Sequence, residues 1–534
     1  MGEGVFSHTN VETPYGPVRG TNGGFYRFNP TKGKLERTAQ YSIPNPWGIA
    51  FDAWGQNFFL HTSGTSFSWM QQTAVKNRYN QNLKAPDLIK SNSVRPTSGL
   101  EFVYSRHFPD EVQGDVILCN NIGYKGAKQH QVLEDPKKGG YTTEFRHNLF
   151  ETDHGNFRPV DLEFAPDGSL YVIDWHNVLI GHMQHSARDP HRDHVHGRVY
   201  RITYPSRPLV KPAQIHGASL EVLLNNLKLH EYRSRYRSRR ELRSRDADKV
   251  AAAVTKWVAS LDKNDSQYEH NLLEAMWVTW GINKIDKDLI QQLLGAKDHR
   301  ARAAAVRAIR YNVEHFSDAK EILMKTAADK HSLVRHETVI AASWLGTEIA
   351  SEVITEAQKL PVVSNSKDAF KYGLAHGTDQ SGAKAPSKKI KIPKGLDKKF
   401  HAAYKRGKTH YEHGESCGSC HQPNGKGLPA ASFPPLAGSK WVTSDKELLA
   451  KIALHGITGE ITVQGKKYTG AMPGFAFRTK NQEIADVLTY VRNAWGNNAN
   501  DGYTKEEIAK ILKATEKPGG MYDASTLLKE HKLK

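Results

Sequence analysis

Short alternations of apolar and polar residues, broken by Gly, Pro, Asn and Asp, fill residues 1 to about 210. This is the texture of many short antiparallel strands. One stretch repeats: Pro46-Trp-Gly-Ile-Ala-Phe-Asp-Ala-Trp-Gly-Gln-Asn-Phe-Phe-Leu60 aligns without a gap on Pro159-Val-Asp-Leu-Glu-Phe-Ala-Pro-Asp-Gly-Ser-Leu-Tyr-Val-Ile173. Each copy reads as a strand, a glycine turn and a second strand. Gly99-Leu-Glu-Phe102 and Gly114-Asp-Val-Ile-Leu-Cys119 repeat the pattern with eight extra residues in the turn. Gly23-Gly-Phe-Tyr-Arg-Phe28 resembles Gly197-Arg-Val-Tyr-Arg-Ile202, and Asn29–Gly33 resembles Asp135–Gly139 as a hairpin turn. Four-stranded units of about 50 to 60 residues have the size of propeller blades, so 1-210 is expected to be a partial, all-β propeller of about two to three blades.

The pattern then turns helical, with no proline between Pro212 and Pro361 and apolar spacing at Leu220, Leu223, Leu224 and Leu227. Asp298-His-Arg-Ala-Arg302 and Asp329-Lys-His-Ser-Leu-Val-Arg335 each place an aspartate before a helix and an arginine inside it, with the arginines 33 residues apart. His270 falls near the preceding beat and Arg237 near the one before. Repeated helix pairs that bury their faces on one another predict an α-helical, HEAT-like solenoid over 211-365. A basic, Pro- and Gly-containing stretch, 366-398, reads as a flexible linker. An all-α domain is expected at 399-500, followed by a tail, 501-534, with one helix at Lys505 to Ala514. The fold class is therefore multidomain.

Charge changes the picture in one place. The formal net charge is +18, and seven arginines lie within Arg233 to Arg245. That run suits nucleic acid, but with no recognition module beside it the better reading is one solenoid helix with an exposed basic face. From Lys384 to Lys408, ten Lys/Arg stand against one Asp, a self-repelling stretch that also suits steering of an acidic redox partner. No run of 18 or more apolar residues offers a transmembrane segment. Three cysteines cannot build a disulfide framework, and Cys119 lies in an apolar alternating run that favours a buried thiol.

The other two cysteines share Glu415-Ser-Cys-Gly-Ser-Cys-His421. Zinc needs four ligands and no later cysteine completes a set. A thioredoxin-type dithiol needs a βαβ setting, and the flanks here are rich in Gly and Pro. C-x-x-C-H is the attachment signature of c-type haem, with Cys417 and Cys420 as covalent anchors and His421 as an axial ligand. Met472, in Ala471-Met-Pro-Gly-Phe475, is the candidate second axial ligand; its competing role is core packing. With both iron faces filled, such a haem carries electrons and does not bind oxygen. These residues, Phe433-Pro-Pro-Leu-Ala-Gly438 and the helix Glu483 to Trp495 resemble class I cytochrome c, most closely the small domains fused to bacterial quinoprotein dehydrogenases.

A second patch, Asp174 to Gly197, carries six histidines within 21 residues. It leaves one predicted strand and returns to another, so it reads as a long loop over a propeller face, where binding sites are usually carried. Imidazoles there suit metal ligation, substrate binding or acceptance of a hydroxyl proton as hydride leaves. The competing reading is a loop that satisfies its own buried backbone. His176, Arg188, Asp189, His191 and His194 are the catalytic candidates. His154, Arg158, Asp161, Asp174, His182, His185, Arg192 and Asp193 are the substrate-binding candidates, and His196 completes the patch.

Strands, helical repeats and C-x-x-C-H in this order resemble the PVC-type haem-binding CxxCH proteins, described as membrane-bound dehydrogenases with a propeller similar to sorbosone and glucose dehydrogenases. The residues carrying the resemblance are Asn156 to Phe164, Pro166 to Trp175, Arg188 to Asp193 and Gly197 to Arg201. It implies oxidation of a sugar, polysaccharide or alcohol at the propeller, and pyrroloquinoline quinone beside haem c in the full-length protein. A cytochrome or oxidase would accept the electrons, in the periplasm or cell envelope. Members open with a signal peptide and further blades, so an N-terminally truncated chain is expected. The alternative is a non-enzymatic propeller that binds a glycan or protein, with the haem as a relay.

Overall fold

The computed structural model describes residues 2–533 except 4–7, 22, 40, 42, 44, 63–66, 77–82, 84–85, 93–96, 123, 179–187, 189, 191, 376–389, 413–416, 428–432, 477–478 and 516–519. The N-terminal strands are β1 (Gly2–Glu3), β2 (His8–Val11), β3 (Val18–Thr21), β4 (Gly24–Asn29), β5 (Lys34–Ala39), β6 (Pro46–Phe51), β7 (Asn57–His61), β8 (Ser68–Trp69), β9 (Thr97–Phe102), β10 (Val116–Asn121), β11 (Lys125–Glu134), β12 (Tyr141–Glu151), β13 (Pro159–Phe164), β14 (Leu170–Asp174) and β15 (Arg198–Ile202). They form antiparallel sheets in the orders β1-β4-β5, β2-β3, β6-β7-β8, β12-β11-β10-β9 and β13-β14-β15. Among the described residues none of these sheets closes on itself.

The sequence repeat is a structural repeat. Hairpins β6/β7 and β13/β14 each carry a register shift at the same place, between Pro46 and Gly48 and between Pro159 and Asp161. Their turns match as well: Asp52 Oδ1 accepts from Trp54 N, Asp167 Oδ1 accepts from Ser169 N, and a left-handed glycine, Gly55 or Gly168, closes each turn. Neighbouring hairpins also touch through their first strands, with Ser98 Oγ on β9 donating to Pro159 O on β13 at 2.9 Å.

Ten helices follow: α1 (Leu220–Asn225), α2 (Tyr232–Arg243), α3 (Ala247–Ala259), α4 (Tyr268–Gly281), α5 (Lys287–Leu294), α6 (His299–Tyr311), α7 (Ala319–Ala327), α8 (Ser332–Leu345), α9 (Thr347–Ala357) and α10 (Lys367–Ala375). One device recurs at their heads. Arg302 Nη1 donates to Ala296 O and Lys297 O, and Arg335 Nη1 to Asp329 O and Lys330 O. Arg235 Nη1 does the same to Leu229 O and His230 O. The arginine on the first beat is thus Arg235 and not the expected Arg237, which instead bonds Glu163 of β13 at 3.0 Å. A second expectation shifts too: Asp298 caps α6, but the first turn of α8 is capped by the His331 ring.

Sheets and helices share one core. Phe58, Leu100, Phe102 and Val116 pack with Val306, Leu323, Val339 and Phe370. Ion pairs cross the same boundary: Arg106 grips Glu231 with two bonds of 2.6 and 2.8 Å, and Arg233 holds the buried Glu101. Burial pushes the Glu101 carboxyl up to about 7, with Arg233 working against it. Inside the bundle, Arg235 and Arg239 both bind Glu274, which is 0% exposed. The arginine run is therefore only partly the exposed basic face expected of it, because most of its guanidiniums are engaged by carboxylates.

The C-terminal unit contains α11 (His401–Glu412), α12 (Cys417–His421), α13 (Lys440–Thr443), α14 (Lys446–His455), β16 (Gly456–Val463), β17 (Lys466–Pro473), α15 (Asn481–Asn493), α16 (Lys505–Ala514), β18 (Tyr522–Asp523) and α17 (Ala524–Glu530). The all-α expectation is corrected here. Ile457, Ile461 and Val463 alternate with polar residues, and Gln464 and Gly465, both at positive φ, turn the chain back into β17. The segment 501–534 is built into the unit: Tyr503 and Ile508 enter the main core, and β18 pairs in parallel with β16. The linker also contracts, since α10 lies in the shared core through Ala369 and Phe370, and Ile390, Ile392 and Leu396 pack in the C-terminal unit. What is left of it, 376–389, lies outside the described residues. Among the described residues no helix is long and apolar enough to cross a membrane.

Removing one side of a buried ion pair strands the other charges. Glu274→Gln is expected to destabilise the helical region by about 3–5 kcal/mol, read as a lower denaturant midpoint; an unchanged midpoint would mean that the pair adds nothing.

Candidate functional site

The C-terminal unit is organised by one helix crossing. A Cβ on Gly407 of α11 would lie 1.9 Å from Asp486 O of α15, so glycine alone permits the approach. Beside it Asp486, 0% exposed, accepts from Arg406 at 2.7 and 2.8 Å and from Gln482 at 2.9 Å. Tyr404, Tyr411, Tyr490 and Trp495 pack their rings around the crossing. Tyr411 Oη donates to Gln422 O at 2.8 Å, and Trp495 Nε1 to Pro423 O at 3.0 Å. The two helices therefore pin the backbone just after His421, with Gln422 held in the left-handed region.

His421 ends α12 and is 6% exposed. Its Nδ1 lies 2.8 Å from Pro434 O, and because a carbonyl only accepts, Nδ1 carries the proton and Nε2 the lone pair. Burial holds its pKa below the ordinary value, with the Pro434 bond working against that. Cys417 and Cys420 are half-buried on the same short helix. Cys417, Leu436 and Phe475 line the core that holds Tyr411 and Val491. Two thiols three residues apart, an oriented imidazole and apolar walls fit a covalently held haem.

Met472 lies on β17 opposite Ile457. It is half-buried against a second cluster that includes Trp441, Ile452 and Tyr522. The segment after it is anchored to the end of α14, with Phe475 N donating to Ala453 O and Ala476 N to Leu454 O. Cys119 is fully buried and burial pushes its thiol pKa up, as expected of an inert packing residue.

A family model for cytochrome c matches residues 404–495. Cytochrome c-552 of Thermus thermophilus is 41% identical over 103 residues, 18% of this chain and 77% of that protein. The chain belongs to the cytochrome c family. Haem c is the cofactor of this cytochrome unit. Also similar are the gluconate 2-dehydrogenase cytochrome c subunit of Pantoea cypripedii, 34% identical over 104 residues, and the alcohol dehydrogenase (quinone) cytochrome c subunit of Gluconobacter oxydans (strain 621H), 37% over 97 residues. Each match covers 18% of this chain but only 22% and 20% of those subunits. Residues 4–206 match a family model described as a domain of unknown function, DUF7133.

In that N-terminal region the structure brings part of the histidine patch together. His176 is 5% exposed and adopts φ 52°, a backbone conformation uncommon outside glycine. Asp174 Oδ1 accepts from the backbone N–H groups of Arg158 and His176, whereas its buried Oδ2 has no hydrogen-bond partner among the described residues. His154 stacks on His176 with ring centroids 5.8 Å apart, and His196 meets it edge-on at 6.3 Å. A cleft of about 480 Å³ opens beside them, lined by Glu151, His154, Phe157, Arg198 and Tyr200 among others.

Several candidates are committed elsewhere. Arg158 bonds the carbonyls of Phe157, Asn177 and Val178, and burial pushes its pKa down to about 10. Asp161 bonds Leu162 N, and burial raises its pKa. Asp193 is held below the usual carboxylate range by the backbone N–H groups of Val195 and His196. His194 is exposed; Arg188 and Arg192 are described and each has a partner. His182, His185, Asp189 and His191 lie outside the described residues.

Arg198 was missed in the sequence, where it appeared only as a strand residue. Its Nη1 donates to His176 Nδ1 at 2.6 Å, which places the His176 proton on Nε2, 3.6 Å from Asp193 Oδ2 and too far for a hydrogen bond. Pro434, Tyr411 and Trp495 were also not singled out for roles around His421, although Trp495 closes a helix whose apolar face was legible.

Gly407→Ala is expected to force α11 and α15 apart and to destabilise the cytochrome unit by about 1–3 kcal/mol or more, measured by the shift of the haem absorption band on denaturant titration. Unchanged stability would contradict the tight crossing.

Proposed function

We propose that this is an extracytoplasmic electron-transfer protein that oxidises a sugar or alcohol at its N-terminal sheets and passes the electrons out through haem c. In this reading Cys417 and Cys420 would hold the haem covalently, and His421 and Met472 would ligate its iron. The observation that carries it is the His421–Pro434 hydrogen bond, which presents Nε2 as a ligand beside the two thiols. When bound, the haem supplies a one-electron couple, and a thioether ligand raises its potential relative to a second histidine. Covalent haem attachment outside the cytoplasm points to the periplasm or cell envelope. The acceptor is a further cytochrome or an oxidase.

The N-terminal sheets are read as part of a β-propeller and the helix pairs as HEAT-like repeats. Matched bulges and turns support the first, and the arginine at successive helix heads supports the second. The substrate site is the cleft beside His154, His176 and Arg198. His176 accepts the hydroxyl proton on Nδ1 once Arg198 turns its guanidinium to the substrate, and Asp174 holds the His176 backbone N–H. His191, His194, Arg188 and Asp189 complete the catalytic group in this reading, with His182, His185 and Arg192 on the substrate. An alcohol gives up two electrons and a haem takes one, so the reading needs a two-electron acceptor; pyrroloquinoline quinone is a group of that class. No described residue is assigned to it.

One observation favours a second reading, a glycan- or protein-binding surface with a haem relay. Arg158, Asp161 and Asp193 spend their polar atoms on local backbone, as a structural loop would.

The test is reduction of the protein's own haem by a panel of sugars and alcohols, with and without the quinone. The first reading expects haem reduction by at least one compound and its loss in His176→Ala with binding partly retained. Lost binding with no reduction in the parent protein would select the second. Met472→Ala is expected to keep the haem attached and lower its midpoint potential; an unchanged spectrum and potential would show that Met472 only packs.

A further inference from the structure

We infer that Glu134, His299 and His331 form a site for a zinc-class divalent cation that fastens the sheet region to the helical repeats. Glu134 ends β11, His299 opens α6 and His331 immediately precedes α8. One donor atom from each lies within 4.8 Å of the others. Two imidazoles and a carboxylate are a donor set that suits borderline-soft divalent ions, with a water as fourth ligand. The repeat makes the pairing: the two histidines stand at the heads of successive helix pairs, and their rings stack with centroids 3.5 Å apart.

His299 Nε2 lies 2.8 and 3.1 Å from the two oxygens of Glu134, so it holds a proton between imidazole and carboxylate, and a metal ion takes that proton's place. The nearby guanidiniums are already matched. Arg300 pairs with Asp298, with Nη2 to Oδ2 at 2.6 Å, and Arg302 with Asp329 at 2.7 and 3.0 Å. The Glu134 carboxylate faces the His299 ring.

Coordination has a stated cost. The stacked rings, 21° from parallel, must splay so that both nitrogens point at one ion. His331 Nδ1 accepts from Leu333 N at 3.2 Å, so binding through Nε2 moves its proton to Nδ1 and gives up that helix cap. The positive ends of α6 and α8 also oppose a cation, an effect confined to the first turn of each helix.

The test is titration of the chelator-treated, haem-loaded chain with Zn2+ by calorimetry, with zinc-edge X-ray absorption to identify the ligands. The expected result is one equivalent bound through two imidazole nitrogens and carboxylate or water oxygens, a higher melting temperature, and affinity about tenfold or more weaker in each of Glu134→Gln and His331→Gln. Glu134→Gln is isosteric, and far-UV circular dichroism of both variants separates lost binding from lost folding. No zinc bound at micromolar concentration, or binding indifferent to both substitutions because other histidines supply it, overturns the inference.

Discussion

The hydrogen bond from His421 Nδ1 to the Pro434 carbonyl fixes which nitrogen of the ring can meet a metal, and much of the C-terminal unit serves to keep it in place. A carbonyl cannot donate, so the tautomer follows from the partner's chemistry alone. The ring orientation follows from the backbone on either side. Tyr411, on α11, and Trp495, just past the end of α15, hold Gln422 and Pro423, and these two helices cross at Gly407. Buried Asp486, bound by Arg406, ties the same crossing. The setting of the His421 ring thus depends on a glycine 14 positions earlier and a tryptophan 74 positions later.

The remainder of the chain is held by a different rule. The sheet region and the helices are bound by a common apolar core and by arginines that reach across it. Much of the arginine run that first suggests a nucleic-acid partner is therefore engaged within the protein, since Arg233, Arg235, Arg237 and Arg239 of one helix each meet a carboxylate. Surface pairs of this kind contribute little, but those at Glu101 and Glu274 are buried, where an unpaired charge is costly. The pair at Glu101 ties α2 to β9, and those at Glu274 tie α2 to α4.

Legibility in the sequence followed the range of the interactions. The β6/β7 and β13/β14 hairpins were readable because turn chemistry at Asp52 and Asp167 is local, and α16 was readable because its cap and apolar face lie within ten residues. The β16/β17 hairpin was legible in principle, with Gln464-Gly465 between alternating runs, but expectation of an all-α domain overrode it. Arg235 was displaced by Arg237 because two arginines two residues apart cannot be told apart by period; only the carbonyls of Leu229 and His230 decide between them. The C-x-x-C-H motif was legible as chemistry, whereas Pro434 was not, because a backbone carbonyl has no sequence signature. In the histidine patch the count of imidazoles was visible. Which of them are spent on backbone, and that Arg198 from the next strand reaches His176, required the fold.

The central claim is that this chain carries haem covalently at Cys417 and Cys420, under His421. The most direct measurement is the intact mass of the purified protein after acid–acetone extraction, with peptide mapping of residues 415–421. The account predicts a mass higher by one haem that stays on this peptide, and its loss when both cysteines are replaced by alanine. A chain that releases all its haem to the extract, or that retains it without the two thiols, would contradict it.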